Sequence, residues 1–522
     1  MHTVDRPVLT RRTALLGAAA AITAAALPAP VRAAPERTHV TALVIGTGFG
    51  GSVAAQRLGA AGVDTLVLER GRSYRLDDHA EVYAPGTNPL HPDALWAPEL
   101  GRTGVLDVDL AGTLAILRGA VVGGGSVVYF GATVPPHPRY YDKIFHSGPR
   151  YPELAGEYLP RALRNLRAAP IPDDVRASRP FATLRRFEAS MDRAGWRCES
   201  VPCTMNWDVV RRELRCEVRP SVTAGEMTFG VSNGGKRELS TTYLAAALAQ
   251  PSVRLRTLQR VTGITQERGR IAVHVEELNG GGGVERRRDY TCDQLYLAAG
   301  SYGTTELLLR SRLAGGLPNL NEHVGTQVGD NGNQVAVQLR ADGLGPQAGA
   351  IATSAFVDDD DDHLPVRVET MGMPLSMPAI PVFTVPADWE NRASWTVVGG
   401  EPRLLVPPLG ISADAGAASA RVLRRLTEVD GGLALAPLPV AAGLGADPAL
   451  GFANAGLPPT ATAHPLGGVP LGAASDAEGR LHGHPAIRVL DGAGIPGNAG
   501  GANPSLVITA FAEYLMDRAL GA

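Results

Sequence analysis

Apolar positions along the chain fall into short runs separated by glycine turns. His39 to Ile45 is a β-branched apolar run, Ser52 to Ala61 has helical composition, and Thr65 to Leu68 is a second apolar run. This order predicts strand, turn, helix and strand, a βαβ unit. Gln294 to Leu297, followed by Ala298-Ala299-Gly300-Ser301-Tyr302-Gly303-Thr304, again reads as a strand, a glycine turn and the start of a helix. Residues 151–250 hold Arg-rich helical stretches with Trp196 and Trp207, whereas about 331–455 carries strand-like runs, prolines, Trp389 and Trp395.

The turn after the first strand, Gly46-Thr47-Gly48-Phe49-Gly50-Gly51, has the spacing of a dinucleotide-binding fingerprint. Gly46 permits the tight turn, Gly48 lets backbone approach a pyrophosphate, and Gly51 allows the helix to pack closely, while the helix N-terminus stabilises phosphate charge. Glu69 closes the second strand, eighteen residues after Gly51. Its carboxylate can accept both hydroxyl protons of an adenosine ribose, which favours FAD or NAD over NADP. A second glycine cluster, Arg118-Gly119-Ala120-Val121-Val122-Gly123-Gly124-Gly125-Ser126, precedes Val127 to Phe130. It suits either a second backbone approach to a long dinucleotide or a sharp bend between strands. With the turn at Gly300, the cofactor domain is expected to be discontinuous in sequence.

At 522 residues the chain exceeds the size at which single cores stop growing, so two domains are expected. A formal charge of -3 gives no basic footprint for nucleic acid and points to a small-molecule partner. Gly 62 and Pro 40 lie between apolar runs and read as loops and close approaches, not low-complexity tracts. The acidic run Asp358 to Asp362 reads as a solvated loop. Four cysteines are few for a secreted protein; a disulfide among Cys198, Cys203 and Cys216 stays open, and no metal-ligand spacing is present. Ahead of the first strand, Arg11-Arg12 precedes a short Ala-rich apolar run ended by Pro28 and Pro30, with Val31-Arg32-Ala33 as a cleavage site. Residues 1–34 therefore read as a twin-arginine export signal, not a spanning helix, and imply a secreted protein folded around its cofactor before export.

Near the C-terminus, Ala463-His464-Pro465-Leu466-Gly467-Gly468 is followed, thirty-nine residues after His464, by Asn503 in Gly500-Gly501-Ala502-Asn503-Pro504-Ser505. Alone, His464 reads as a loop-ordering core histidine and Asn503 as a turn former before Pro504. The segments GTGFGG with Glu69, RGAVVGGGS, AAGSYGTTELLLRSRLAGGLPNLNEHVG, GDNGN, AHPLGG and VLDGAGIPGN together resemble the glucose-methanol-choline flavoprotein family, and within it the secreted bacterial cholesterol oxidases. Six separated motifs in one order make the resemblance specific. It spans most of the mature chain and is thinner where substrate would bind.

The resemblance implies an α/β two-domain fold: a Rossmann-like FAD-binding domain from residues 39–150, 251–330 and 456–522, and a discontinuous substrate domain from 151–250 and 331–455 on a mixed or antiparallel sheet. It implies noncovalent FAD held by Gly46, Gly48, Phe49, Gly50, Gly51, Glu69, Gly124, Gly125, Ser126, Asp491 and Gly492, with the Val261 backbone meeting the adenine. His464 and Asn503 match the family's active-site pair: an imidazole that takes or relays the alcohol proton, and an amide that holds the alcohol oxygen. Hydride would pass to the flavin and electrons then to O2, giving H2O2. Glu369, in Val366-Arg367-Val368-Glu369-Thr370-Met371, resembles the base that moves a steroid double bond; burial would raise its pKa for that role. Otherwise it is a strand-end glutamate paired with Arg367 or facing solvent. Departures crowd the site: Ala463 for an aromatic, Val469 for Cys, Tyr129 for Asn, Phe130 for Gly, Ala132 for Met and Ser505 for Phe. They leave room for a hydroxylated polyketide or other natural product as substrate, or for a flavin-containing binding protein with little catalysis. The partners implied are a small apolar alcohol and O2; a monomer is expected. A transient membrane contact would suit lipid extraction, although no amphipathic helix stands out.

Overall fold

The strand read from His39 lies at the centre of a sheet whose parallel members come from distant parts of the chain. The computed structural model describes residues 37–74, 88–267, 269–339, 344–359, 361–374, 379–408, 410–431, 433–436, 452–454 and 461–521. Across the sheet the parallel order is His484–Val489, Val284–Leu297, Arg37–Ile45, Thr65–Leu68 and Val253–Arg256. Gln259–Glu267 and Arg270–Leu278 add antiparallel strands beyond Val284–Leu297. Parallel strands are covered on both faces, so their apolar run is continuous and not alternating; Ala42, Leu43, Val44 and Ile45 are all buried. The helix Phe49–Ala60 packs against Tyr243–Leu248 and Pro504–Leu520. The export-signal residues 1–34 lie outside the described residues.

Strand order reverses between Arg37–Ile45 and Val284–Leu297, because the chain builds outward on one side and returns on the other. Carboxyl ends of parallel strands separate at such a reversal and leave a crevice. The segments at Gly46, Glu69, Ala298 and Asp491 each directly follow one of these carboxyl ends, within two residues of it. Distant sequence motifs are thereby delivered to one edge. The second glycine cluster leads from the strand Leu114–Gly119 into one turn of helix, Gly125–Val128, and not directly into a further strand; Gly124, at φ +52, bends the chain into it.

A second sheet runs Phe452–Asn454, Leu433–Ala436, Gln334–Leu339, Ala379–Pro386, Val366–Glu369, Thr353–Val357 and Cys198–Ser200. It is antiparallel apart from the first pair, a mixed sheet. Alternation decides its faces. Val366 and Val368 enter the core under the helices Ala182–Ala194 and Ala413–Asp430, so Arg367 and Glu369 must point the other way, toward the loop 500–503. The four cysteines are unbridged; Cys203 donates its S–H to the Ile351 carbonyl at 2.9 Å. The acidic run is not simply solvated: Asp358 accepts from Arg139 and Tyr140, and Asp359 from Trp196 and Arg421. Among the described residues no helix is long and apolar enough to cross a membrane.

The C-terminal helix, which begins directly after Asn503, is fastened by buried charge. Glu513, fully buried, accepts from Arg57 at 3.0 Å, Tyr243 at 2.7 Å and Asn165 at 3.3 Å. Asp517, one turn on, takes Arg57 and Arg161. Breaking such a network strands its remaining members without solvent. Glu513→Ala is expected to lower unfolding free energy by about 3 kcal/mol or more, read from urea denaturation; a loss within about 0.5 kcal/mol would show that the helix is held by apolar packing alone.

Candidate active site

The first glycine turn is closed on its protein side and open on the other. A Cβ added at Gly46, whose φ is +98, would lie 2.3 Å from the Ala298 carbonyl oxygen, and one at Gly50 would lie 2.1 Å from that of Leu490. At Gly51 it would meet the Gly46 carbonyl at 2.1 Å, the close helix packing read from the sequence. At Gly48 it would meet nothing within 4 Å, and no side chain caps the helix that starts at Phe49. The Cβ side of Gly48 is thus open, at a helix N-terminus whose first N–H groups have no side-chain cap, the chemistry a pyrophosphate requires.

Thr47, inside this turn, ties three elements together. Its N–H (3.0 Å) and hydroxyl (2.6 Å) both donate to one Glu69 oxygen, and its hydroxyl accepts from the Gly123 N–H at 3.0 Å. The other Glu69 oxygen accepts from the Gly71 N–H at 2.9 Å. Glu69 therefore braces the turn, a task beyond the ribose contact read from sequence. The second glycine loop abuts the first, since a Cβ at Gly124 would lie 2.9 Å from the Gly48 Cα. Gly125 faces the Phe49 ring, and the Phe49 ring meets Tyr129 edge-on at 5.6 Å. Ser126 donates to the Gly123 carbonyl and accepts from the Leu239 N–H, locking the loop's shape. Asp491 accepts from the Gly300 N–H, the Thr304 hydroxyl and the Ala493 N–H, and burial pushes its pKa up to about 6. Gly492 sits where a Cβ would press on Leu466 at 3.0 Å. Val261 lies two residues beyond Gln259, whose N–H donates to the Glu69 carbonyl, so its backbone follows the end of the Thr65–Leu68 strand.

The polar pair from the C-terminal motifs is held by different partners. Asn503 is buried and donates its amide to Glu369 at 3.1 Å; Arg367, two residues before Glu369 and on the same strand face, donates to the Gly501 carbonyl at 2.8 Å. Alternate strand positions thus meet alternate loop residues. Glu369 is fully buried; desolvation raises its pKa to about 7, against the Asn503 hydrogen bond and the Arg367 charge. Its second oxygen, and the Asn503 side-chain oxygen, have no partner among the described residues. The direct Asn503–Glu369 contact is a tertiary feature not read from the sequence.

His464 is anchored by its Nδ1, which lies 2.6 Å from the Asn333 amide nitrogen. The orientation of that amide follows from its neighbour. Asn331 accepts from the Ala499 N–H and donates to the Ala502 carbonyl, so its nitrogen is identified by backbone partners; the same nitrogen is 3.4 Å from the Asn333 oxygen. Asn333 therefore presents its amide N–H to His464, and Nδ1 must accept. The neutral ring carries its proton on Nε2 and is a donor there. Burial pushes the pKa of His464 down to about 4, so it stays neutral near pH 7. Its backbone N–H donates to Thr462, whose hydroxyl donates to the Asp330 carbonyl, and Phe383 meets the ring edge-on. Asn331, Asn333, Thr462, Arg367 and Thr47 were not read as site residues; two asparagines flanking one glycine in Gly329-Asp330-Asn331-Gly332-Asn333 were the available signal.

Glycine turns gathered at a strand-order reversal, in one fold with a neutral His, an Asn and a buried carboxyl from a second sheet, are a set compatible with a cofactor-dependent oxidoreductase. The chain belongs to the GMC oxidoreductase family, an FAD-binding family whose sequence pattern matches residues 40–331 and, in its C-terminal part, 437–512. It is similar to a cholesterol oxidase of Mycobacterium tuberculosis, 29% identical over 345 residues, with 62% of this chain and 58% of the relative covered. The matched region thus spans under two thirds of that relative's length. The fold is similar to a fungal aryl-alcohol oxidase (TM-score 0.61, 15% identity, 93% of this chain and 100% of the other). It is likewise similar to pyridoxine 4-oxidase from Mesorbium loti (TM-score 0.60, 15% identity, 92% and 99%).

Asn333→Asp replaces the donor on Nδ1 with an acceptor and a charge. The expected outcome is a proton moved to Nδ1 and a His464 pKa well above 4, read from imidazole 15N shifts. Unchanged shifts would show that Asn333 does not set the tautomer.

Proposed function

We propose that this chain is a secreted, FAD-dependent oxidase of a secondary alcohol on a sterol or steroid-like polycyclic substrate, passing electrons to O2 and moving a double bond afterwards. The observation that carries the reading is the buried Glu369–Asn503 pair, with one oxygen of each unpartnered, linked through Phe383, the strand partner of Glu369, to a neutral His464. The cofactor fit rests on the open side of Gly48 and the uncapped helix N-terminus behind it. Bound FAD would supply the hydride acceptor. The M. tuberculosis relative's name, cholesterol oxidase, supports a sterol as the first candidate.

In this reading, His464 donates from Nε2 to the substrate oxygen and the second N–H of Asn503 adds to that hold. Both groups orient the carbinol carbon without changing charge. The free oxygen of Glu369 is the proton acceptor the arrangement offers, because His464 has its accepting nitrogen occupied by Asn333, and an alcohol proton taken there has to pass to solvent before the same carboxylate can take a proton from carbon. A carboxyl with a pKa near 7 takes and returns protons at comparable cost, which is what moving a proton between two carbons beside a new ketone demands. The apolar surroundings, Phe383 across the strand pair from Glu369 and Met371 beside it, would exclude water from that transfer.

Anaerobic addition of 3β-hydroxysteroids to FAD-loaded protein is expected to bleach the flavin, with His464→Ala and Asn503→Ala slowing it by about 10² or more. Bleaching by other polycyclic alcohols and by no sterol would move the substrate class; no bleaching by any alcohol would end the oxidase reading. Glu369→Gln also tests linkage. Folded Glu369 keeps its proton up to about 7 whereas the unfolded group releases it near 4.5, so its contribution to stability is lost as pH rises through that window. The variant, compared with the parent, should therefore gain relative stability between those pH values in denaturation curves; a constant difference across them would show Glu369 ionised throughout.

A further inference from the structure

Glu369 is fully buried, so a proton that it takes from an alcohol has to leave through protein. The substrate sheet offers a row of side chains for that purpose. Directly opposite Glu369 on the neighbouring strand stands Ser354, and directly opposite Ser354 on the strand after it stands Glu199, at the edge of the sheet. Alternation fixes the face on which these three lie. Their chain neighbours Val368, Ala355 and Cys198 form the adjacent row, and all three pack into the core under the two helices. Glu369, Ser354 and Glu199 therefore share the other face, the one that meets the loop 500–503. Directly opposed residues of an antiparallel pair have Cβ atoms about 4.5–5.5 Å apart, within reach of a hydroxyl or one bridging water.

The row runs from the interior to solvent: Glu369 and Ser354 are fully buried and Glu199 is exposed. Ser354 Oγ accepts from Arg367 Nη1 at 2.9 Å, which leaves its second lone pair and its own O–H without a partner among the described residues. The unpartnered oxygen of Glu369 is the counterpart on the strand beside it. A hydroxyl in that state can take a proton on one side and give its own on the other. Arg367 cannot, because a guanidinium has no acceptor and keeps its protons; it holds the hydroxyl, and its charge acts on Glu369 and Glu199 alike. The other groups facing Glu369 lead nowhere. Cys203 is buried, its thiol tied to the Ile351 and Val201 carbonyls and its pKa raised by burial. Asn503 does not titrate, the accepting nitrogen of His464 is held by Asn333, and His137 stacks on Phe356, which stands opposite Arg367 and not Glu369.

We propose that Ser354 and Glu199 form the proton exit of Glu369. The Glu369 O–H bond breaks as its proton passes to Ser354 Oγ, the original Ser354 O–H bond breaks as that proton passes to the Glu199 carboxylate, and Glu199 gives it to bulk water. No electrons move, and Ser354 ends as it began. The inference rests on Glu369 as the proton acceptor in the reading above and adds the path by which that carboxyl is reset.

At about pH 6 the Glu369 carboxyl is protonated, and its C=O infrared band, assigned by Glu369→Gln, shifts when deuterium replaces the proton. Rapid mixing of the substrate-free protein with D2O therefore reads how fast this one proton reaches solvent. Exchange is expected to slow about tenfold or more in Ser354→Ala and in Glu199→Gln, and to recover in Ser354→Thr, which keeps the hydroxyl. Unchanged exchange in Glu199→Gln, a change at an exposed edge position, would overturn the proposal whether or not Ser354→Ala folds. So would equal slowing in Ser354→Thr and Ser354→Ala, or the absence of a Glu369 carboxyl band at that pH. Failure of every alcohol to bleach the FAD-loaded protein would instead remove the oxidase reading and leave the exchange result as it stands, so the two failures are distinguishable.

Discussion

The site depends on the side chain of Asn331. At φ +62 it stands in the left-handed region, in the bend Gly329–Asn333, and its amide accepts from Ala499, donates to Ala502 and lies against Asn333. A buried amide without partners costs more than a made hydrogen bond returns, so this one group fixes where three chain segments meet. Through Ala502 it sets the loop that ends at Asn503; through Asn333 it sets the His464 ring. The backbone of the same bend pairs with Leu466 and Gly497, so no member of the pair shifts alone.

Burial drives the site's ionisable groups toward neutrality. Desolvation raises Glu369 and Asp491 and lowers His464. Such surroundings favour hydrogen bonding and proton transfer between matched groups over standing charge. They also suit an apolar substrate, whose binding does not have to displace a solvated ion. Arginines reach the buried carboxylates of Glu513 and Asp517, which hold the helix that follows Asn503.

The fold brings the glycine segments together by topology and not by sequence proximity. Strands ending at Ile45, Leu68, Leu297 and Val489 lie side by side in parallel, so whatever follows each of them arrives at one edge. Thr47 and Glu69 then join two of those ends to the second glycine loop. Glu69 was legible as a strand-closing acid, but its bracing role was not, because nothing local to residue 69 specifies residues 47 and 71 as its donors.

Local pattern determined the βαβ unit, the glycine turn and the helix from Gly300, since periodicity and backbone-conformation demands are encoded within a few residues; His464, Asn503 and Glu369 were singled out by the resemblance of their motifs to the family and not by local pattern. Val366 to Glu369 was legible as a run, and alternation alone placed Arg367 and Glu369 on one face. Tertiary structure alone decided that this face meets Gly501 and Asn503 and that Asn333 holds His464 by Nδ1. Each of these contacts joins residues more than 100 positions apart. Their partners are selected by the need to satisfy polar groups once burial removes water, a condition set by the assembled fold and not by neighbouring sequence.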